Sequence, residues 1–399
     1  MVSNWGMDVT PQQLAESVAS LVRIPSVNPL HTGPIATAAG PIGERAIAEH
    51  LAARFGELGA TEVILDDVLD GRPNVYGLFP GHSERLVVLD VHTDTVTVEH
   101  MTDPPFDGRV EDGHVWGRGA LDTKASLGVI LAMLGAWQDA GLRPEPTLLV
   151  VGSVAEEAGG LLGATRFRPW AEQRGLEIDQ MIVAEPTRLA PIHGHKGGTA
   201  LVIETIGTAA HSALPHLGEN AIEAMAPVIA ALQAEHERLQ TVPGTTELGE
   251  GTLSVTKIEG GTGGNVIPAS CRIVANRRLV PGEDSTDVFH QLSAIVEQAC
   301  PLPTRITSAY PPSDDGQIGS LAFYQPADTP LVQALAAWAG TSPMVAPFGT
   351  NALRYSGFAG ELAVFGPGAI DDAHQATECV AIDDLVALAA VYTRWLTPA

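Results

Sequence analysis

The chain has 399 residues, 22 Lys+Arg against 47 Asp+Glu, a formal charge of -25 and a 45% hydrophobic fraction. So large an apolar share supports substantial cores and excludes a disordered or fibrous chain, and the length favours two domains over one or four. No Lys/Arg-rich run offsets the acidic excess, so phosphate backbones and anionic lipid would repel the chain, which argues against nucleic-acid and membrane partners.

At the start, Met1 to Gly6 show no basic segment leading into an apolar one, and no apolar run along the chain is long enough to span a bilayer. A first helix is predicted from Thr10 as N-cap, with Pro11 at its first position, Gln13 closing a capping box, and Leu14, Val18, Leu21 and Val22 on one face. A second begins near Ile42, with Ile47, Leu51, Phe55 and Leu58 as its stripe and Gly59 as its stop. Leu86 to Asp90, Thr147 to Gly152 and Met181 to Ala184 are short, nearly continuous apolar runs, the pattern of strands covered on both faces.

Near Pro191 the texture changes. Thr199 to Thr205 and Thr252 to Ile258 alternate apolar and polar residues, and Cys271 to Leu279 is a third strand-like run. Helical stretches fall at Asn220 to Leu239 and Asp284 to Ala299. One wet-faced antiparallel sheet with two helices makes an α+β unit. After Tyr310 the stretch PPSDDGQ reads as a linker; helical Leu331 to Gly340 and strand Leu362 to Phe365 then restore the α/β texture. The expected organisation is an α/β domain over residues 1–190 and 308–399, its mixed and largely parallel sheet flanked by helices, with residues 191–307 inserted as an α+β domain. Cys271, Cys300 and Cys379 are scattered and outside metal spacing, so no disulfide framework or thiolate zinc site is expected, and a reduced cytoplasmic setting fits.

The chemistry gathers where strands end. The first α/β run leads into His92 and Asp94, the second into Glu156 and Glu157, the third into Glu185, and ligands of open α/β sheets sit outside the carboxyl ends of the strands. Asp122 follows the turn glycines Gly117 and Gly119 ahead of a helix, and His374 stands in a Gly/Pro-rich loop. Singly, each has a bland reading: Asp122 as a helix N-cap, Asp94 as a turn cap, Glu156 and Glu157 as a solvated pair. As a set, His92, Asp122, Glu157, Glu185 and His374 offer two imidazoles and three carboxylates, a donor set suited to Zn²⁺, with Co²⁺ or Mn²⁺ as alternatives. Five ligands exceed what one catalytic zinc takes, so two ions sharing a carboxylate fit better. Of the adjacent glutamates, one is expected on metal and the other facing water.

The segments HTDTV, GRGALDTK, AEEAGG, AEPT, AAHS at 209–212, GGNVIP and AHQATE occur in an order that resembles the M20 family of metallopeptidases and deacylases. The resemblance implies that Asp122 bridges two ions, with His92 and Glu185 completing one site and Glu157 and His374 the other. It further implies Asp94 orienting His92, Glu156 as general base, and a homodimer whose inserted lid and dimerisation domain supplies His211 as oxyanion stabiliser and Asn265 as a substrate contact. The late GPGAIDDAHQATE loop looks most like acetylornithine deacetylase, which implies removal of a short acyl group from an amino acid. A desuccinylase, dipeptidase or carboxypeptidase of the same family is the alternative, followed by a non-catalytic metal-binding homologue. Asn351 departs from the acidic residue frequent at its position, and Arg354, one place out of register with the family's substrate-binding arginine, is expected as a second substrate contact, to a carboxylate.

Overall fold

The computed structural model describes residues 9–244, 246–309 and 316–398. Met1 to Gly6 and most of the linker after Tyr310 lie outside the described residues. The chain divides into two compact units, one taking in positions up to His193, Gln325–Met344 and Thr350 onward, the other Gly194–Tyr324 and Val345–Gly349. No helix among the described residues is long and apolar enough to cross a membrane.

In the first unit a mixed sheet runs in the order Glu62–Leu69, Arg72–Phe79, Thr147–Ser153, Leu86–His92, Gln180–Val183, Glu361–Val364. The four strands from Thr147–Ser153 onward are mutually parallel, and the pairs on the Glu62 side are antiparallel. Every residue of Leu86–His92 is buried, as its nearly continuous apolar run predicts, with Asp90 and His92 its polar members. The capping box at Thr10 and Gln13 opens helix Pro11–Val22, whose Leu14, Val18 and Leu21 join Leu134, Trp137, Leu388 and Tyr392 in one core with helices Lys124–Asp139 and Ile382–Leu396. The helix expected from Ile42 runs Arg45–Glu57, starting later because Gly43, with φ +90°, is not helical, and a short helix Pro34–Ala39 precedes it.

The second unit is a four-stranded antiparallel sheet in the order Thr252–Gly260, Ser270–Leu279, Gly197–Ile206, Thr304–Ser308. Alternate residues of Ser270–Leu279 are buried beneath helices Ala221–Gln240 and Ser285–Ala299, with Met225, Val228, Ile273, Leu292 and Val296 in the core. Strand Thr304–Ser308 was not expected. The unit extends past position 307 to Tyr324 because Phe323 and Tyr324 pair with His195 and Gly194, and Ser320 bridges Gly198.

Candidate metal centre

Parallel register sets the site. His92 lies opposite Ser153 on the neighbouring strand, and Asp90 lies opposite Val183 on the other side, so the three chains leave the sheet side by side. The sheet therefore delivers His92, residues 154–157 and Glu185 to one edge, and the loop after Glu361–Val364 adds His374, whose φ of 63° places it in the left-handed region. Asp122 arrives from the turn before helix Lys124–Asp139. There Gly119 has φ +82°, and a Cβ on it would stand 2.8 Å from Thr95 Cγ2. Thr123 Oγ1 donates to the His92 carbonyl at 3.1 Å and ties the turn to the strand end. Asp122 is not the helix N-cap; that place belongs to Thr123, which makes no side-chain capping bond.

The expected ligands meet as two overlapping groups, His92–Asp122–Glu185 and Asp122–Glu157–His374, with ligand atoms in each within 4.8 Å of one another. Asp122 belongs to both: its Oδ1 lies 3.0 Å from His92 Nε2 and its Oδ2 lies 3.2 Å from His374 Nε2. His374 Nε2 is also 3.0 Å from Glu157 Oε2. Glu185 Oε1 is buried without a hydrogen-bond partner.

The electrostatics of the group favours positive charge. Burial pushes the Glu156 carboxyl up to about 8, with Glu157, Asp94 and Asp122 adding to the rise against the pull of His92. Burial and Asp122 push Glu157 up to about 7, and burial with Glu156 and Asp122 holds Glu185 well above the ordinary carboxylate range. Burial opposes the charge on Asp122, yet hydrogen bonds from His374 and His92 hold its carboxyl below the usual value. Those to Asp122 and Glu157 raise His374 to about 10. Crowded carboxylates that hold protons at neutral pH are a place where cations replace protons, so the donor set, the bare Glu185 oxygen and the shared Asp122 fit a pair of divalent ions.

Asp94 sits differently from the expectation. His92 Nδ1 is 3.0 Å from the Asp94 main-chain oxygen and 3.7 Å from its carboxylate. The carboxylate instead accepts the Glu156 and Glu157 amides, each at 3.1 Å, and Asn28 Nδ2 at 2.7 Å. The main-chain carbonyl thus orients the imidazole, and the side chain shapes the turn that carries both glutamates. His211 and Asn265 belong to the second unit, where they adjoin each other: His211 pairs with Val266, and Ser212 N donates to Asn265 O at 3.0 Å. Arg354 Nη2 donates to the Gly160 carbonyl at 3.3 Å. Asn351 is buried and donates to Asp90 Oδ2 at 3.0 Å and Ser153 Oγ at 2.9 Å, bracing the strand that ends in His92.

Glu378 escaped the sequence reading as a separate contributor. Fully buried, it pairs with Arg118 and accepts the Leu121 and Asp122 amides at 3.1 and 3.2 Å, fixing the backbone of the shared aspartate. Its signal was present as the last residue of AHQATE, in the same segment as His374. Lys124, two places after the shared aspartate, donates to the Ile24 carbonyl at 2.8 Å.

Residues 193–302 match the peptidase dimerisation domain, and residues 74–240 match peptidase family M28. An acetylornithine deacetylase of Myxococcus xanthus is 32% identical over 325 residues, covering 79% of this chain and 80% of the relative. A succinyl-diaminopimelate desuccinylase of Methylobacterium radiotolerans is 29% identical over 407 residues, covering 97% and 96%. An M20 family metallo-carboxypeptidase from Sulfolobus solfataricus, Sso-CP2, shares the fold with a TM-score of 0.76 at 18% identity, covering 96% of this chain and 98% of that one.

Proposed function

Because the chain belongs to the M20 family of metal-dependent peptidases and deacylases, we propose that it uses two divalent cations to hydrolyse the amide bond of a small N-acyl amino acid. The observation that carries this reading is Asp122, whose two oxygens face two different histidines. His92 and Glu185 would hold one ion, Glu157 and His374 the other, with Asp122 between them, and Zn²⁺ suits the donors, as do Co²⁺ and Mn²⁺. When bound, such ions supply Lewis acidity to the scissile carbonyl and to the attacking water.

The chain's own residues do the rest. Glu156 projects from the same turn as Glu157 and is not needed by either ligand group, which leaves its carboxylate to take the proton from water and deliver it to the departing amine nitrogen. A carboxyl raised in a buried site is matched to proton transfer near neutral pH. His211 is assigned to the developing oxyanion within a homodimer built through the dimerisation domain, and Asn265 and Arg354 to substrate, Arg354 to its carboxylate. The setting proposed is cytoplasmic.

A second reading, desuccinylation, is favoured by the desuccinylase relative that aligns with 97% of the chain; a dipeptidase or carboxypeptidase would differ only in what lines the pocket. The deciding experiment is a panel of N-acetyl, N-succinyl and aminoacyl derivatives of ornithine and other amino acids, with metal content measured alongside. Preferential release of acetate supports the first reading and succinate the second. An enzyme carrying two ions per chain that cleaves none of them would be a non-catalytic homologue.

A further inference from the structure

The turn that carries Glu156 is held from below by two residues that play no part in the reading so far. Ala155, immediately before it, is buried with φ +60°, a region that a residue with a Cβ keeps only when its neighbours fix it there. Three successive amides of this turn are each accepted by a buried carboxylate: Ala155 N by Glu44 Oε1 at 3.2 Å, Glu156 N by Asp94 Oδ1 and Glu157 N by Asp94 Oδ2, both at 3.1 Å. Glu44 is 0% exposed and is gripped by Arg72 through two bonds of 2.6 Å, Nε to Oε2 and Nη2 to Oε1.

We propose that Glu44 and Arg72 are a positioning pair for Glu156: the guanidinium fork fixes the Glu44 carboxylate, which fixes the Ala155 amide and so the direction in which Glu156 leaves the turn. The inference rests on the reading of Glu156 as the proton carrier. Glu44 lies at the start of helix Arg45–Glu57 and Arg72 at the start of strand Arg72–Phe79, and the two elements lock together where Gly77 faces the Phe55 ring, 2.5 Å from where a Cβ would be. A buried ion pair is a poor means of gaining stability, because desolvation cancels most of the attraction. Here the pair has a geometric role: its one shared oxygen, Glu44 Oε1, accepts from both Arg72 and the Ala155 amide. Arginine suits this place and lysine does not, since only a planar fork fixes both carboxylate oxygens at once.

The test uses the full chain loaded with Zn²⁺ and an N-acetyl amino acid as substrate, comparing Arg72→Lys, Glu44→Gln and Glu156→Gln. Arg72→Lys is expected to lower kcat about 10- to 100-fold with KM within about twofold and two ions still bound, because a proton carrier displaced by a fraction of an ångström loses rate, not affinity. Glu44→Gln, which keeps an acceptor for Ala155, should lower kcat less than Arg72→Lys does. Introduced into Glu156→Gln, Arg72→Lys should change the residual rate by less than about twofold. Amide exchange at Ala155 should accelerate in Arg72→Lys even if that protein is inactive for other reasons, and it is the readout that does not need Glu156 to be the base. Wild-type kcat and Ala155 exchange in a folded, metal-loaded Arg72→Lys protein would overturn the pair's role. Wild-type kcat in Glu156→Gln would overturn the base assignment instead.

Discussion

Replacing Arg118 with methionine tests how the shared aspartate is held. Arg118 and Glu378 side chains are 3% and 0% exposed, so the substitution removes the cation bonded to a carboxylate that has no access to water. Removing one partner of such a pair typically costs about 3–5 kcal/mol. The protein can limit the loss by protonating Glu378, which at pH 7, from an ordinary pKa near 4.3, requires about 4 kcal/mol. The two figures agree, and the second gives a sign. Burial already raises the Glu378 pKa, with Arg118 pulling it down; without Arg118 it rises further. A raised carboxyl destabilises above its unfolded pKa and the penalty shrinks as pH falls toward that value, so the deficit should ease by about 1.4 kcal/mol per pH unit between 7 and 5. Urea unfolding of wild type and variant in chelator at several pH values measures this. Adding Glu378→Gln should restore most of the loss. A deficit under about 1 kcal/mol that does not change with pH would refute the account of a buried, charge-compensated anchor.

Further expectations are simpler to check. Glu156→Gln should keep two ions per chain by elemental analysis while its kcat falls about 10²- to 10⁴-fold, and a near-normal rate would remove Glu156 from proton transfer. Asp122→Asn should weaken both ion positions together, seen as loss of more than one ion per chain after dialysis. Apparent metal affinity should fall as pH drops, because His374, raised to about 10 without metal, and the raised glutamates take protons that compete with cations; a competition titration with a chromophoric chelator reads the slope. In Gly128→Ala the new Cβ would sit 2.5 Å from Val18 Cγ2 and 2.8 Å from Val18 Cα where helices Pro11–Val22 and Lys124–Asp139 touch, so thermal unfolding should show a loss of about 1–3 kcal/mol.

Local signals were the legible part. Thr10 and Gln13 announced a helix start through groups that bond within one turn, and the apolar runs at Leu86 and Thr147 announced strands through burial on both faces. The candidate ligands were legible as a group because each follows a strand or a glycine turn, and parallel strands bring their ends to one edge. The hairpin Glu62–Leu69 and Arg72–Phe79 was passed over, although Asp70-Gly71 between alternating residues is a turn signal and Gly71 has φ +72°. Glu44 and Glu378 could not be read from spacing, since they accept backbone amides 111 and 256 positions away, at Ala155 and Asp122, and Arg72 acts through a fork 28 positions from its partner Glu44. Asp94 illustrates the same limit: its residue type fitted an imidazole partner, and only in the fold does its carboxylate turn to the amides of Glu156 and Glu157.

The position of Asp122 has a thermodynamic consequence. One carboxylate shared by the two proposed sites would make their occupancies interdependent: the first cation to arrive would partly neutralise the charge that attracts the second while ordering the oxygen that is to hold it. Whatever the net sign of that coupling, each ion alters the other's affinity by the same factor. Were two ions to bind as proposed, the population of a singly loaded species would report the sign of that coupling: prominent if the ions oppose each other, absent if they assist.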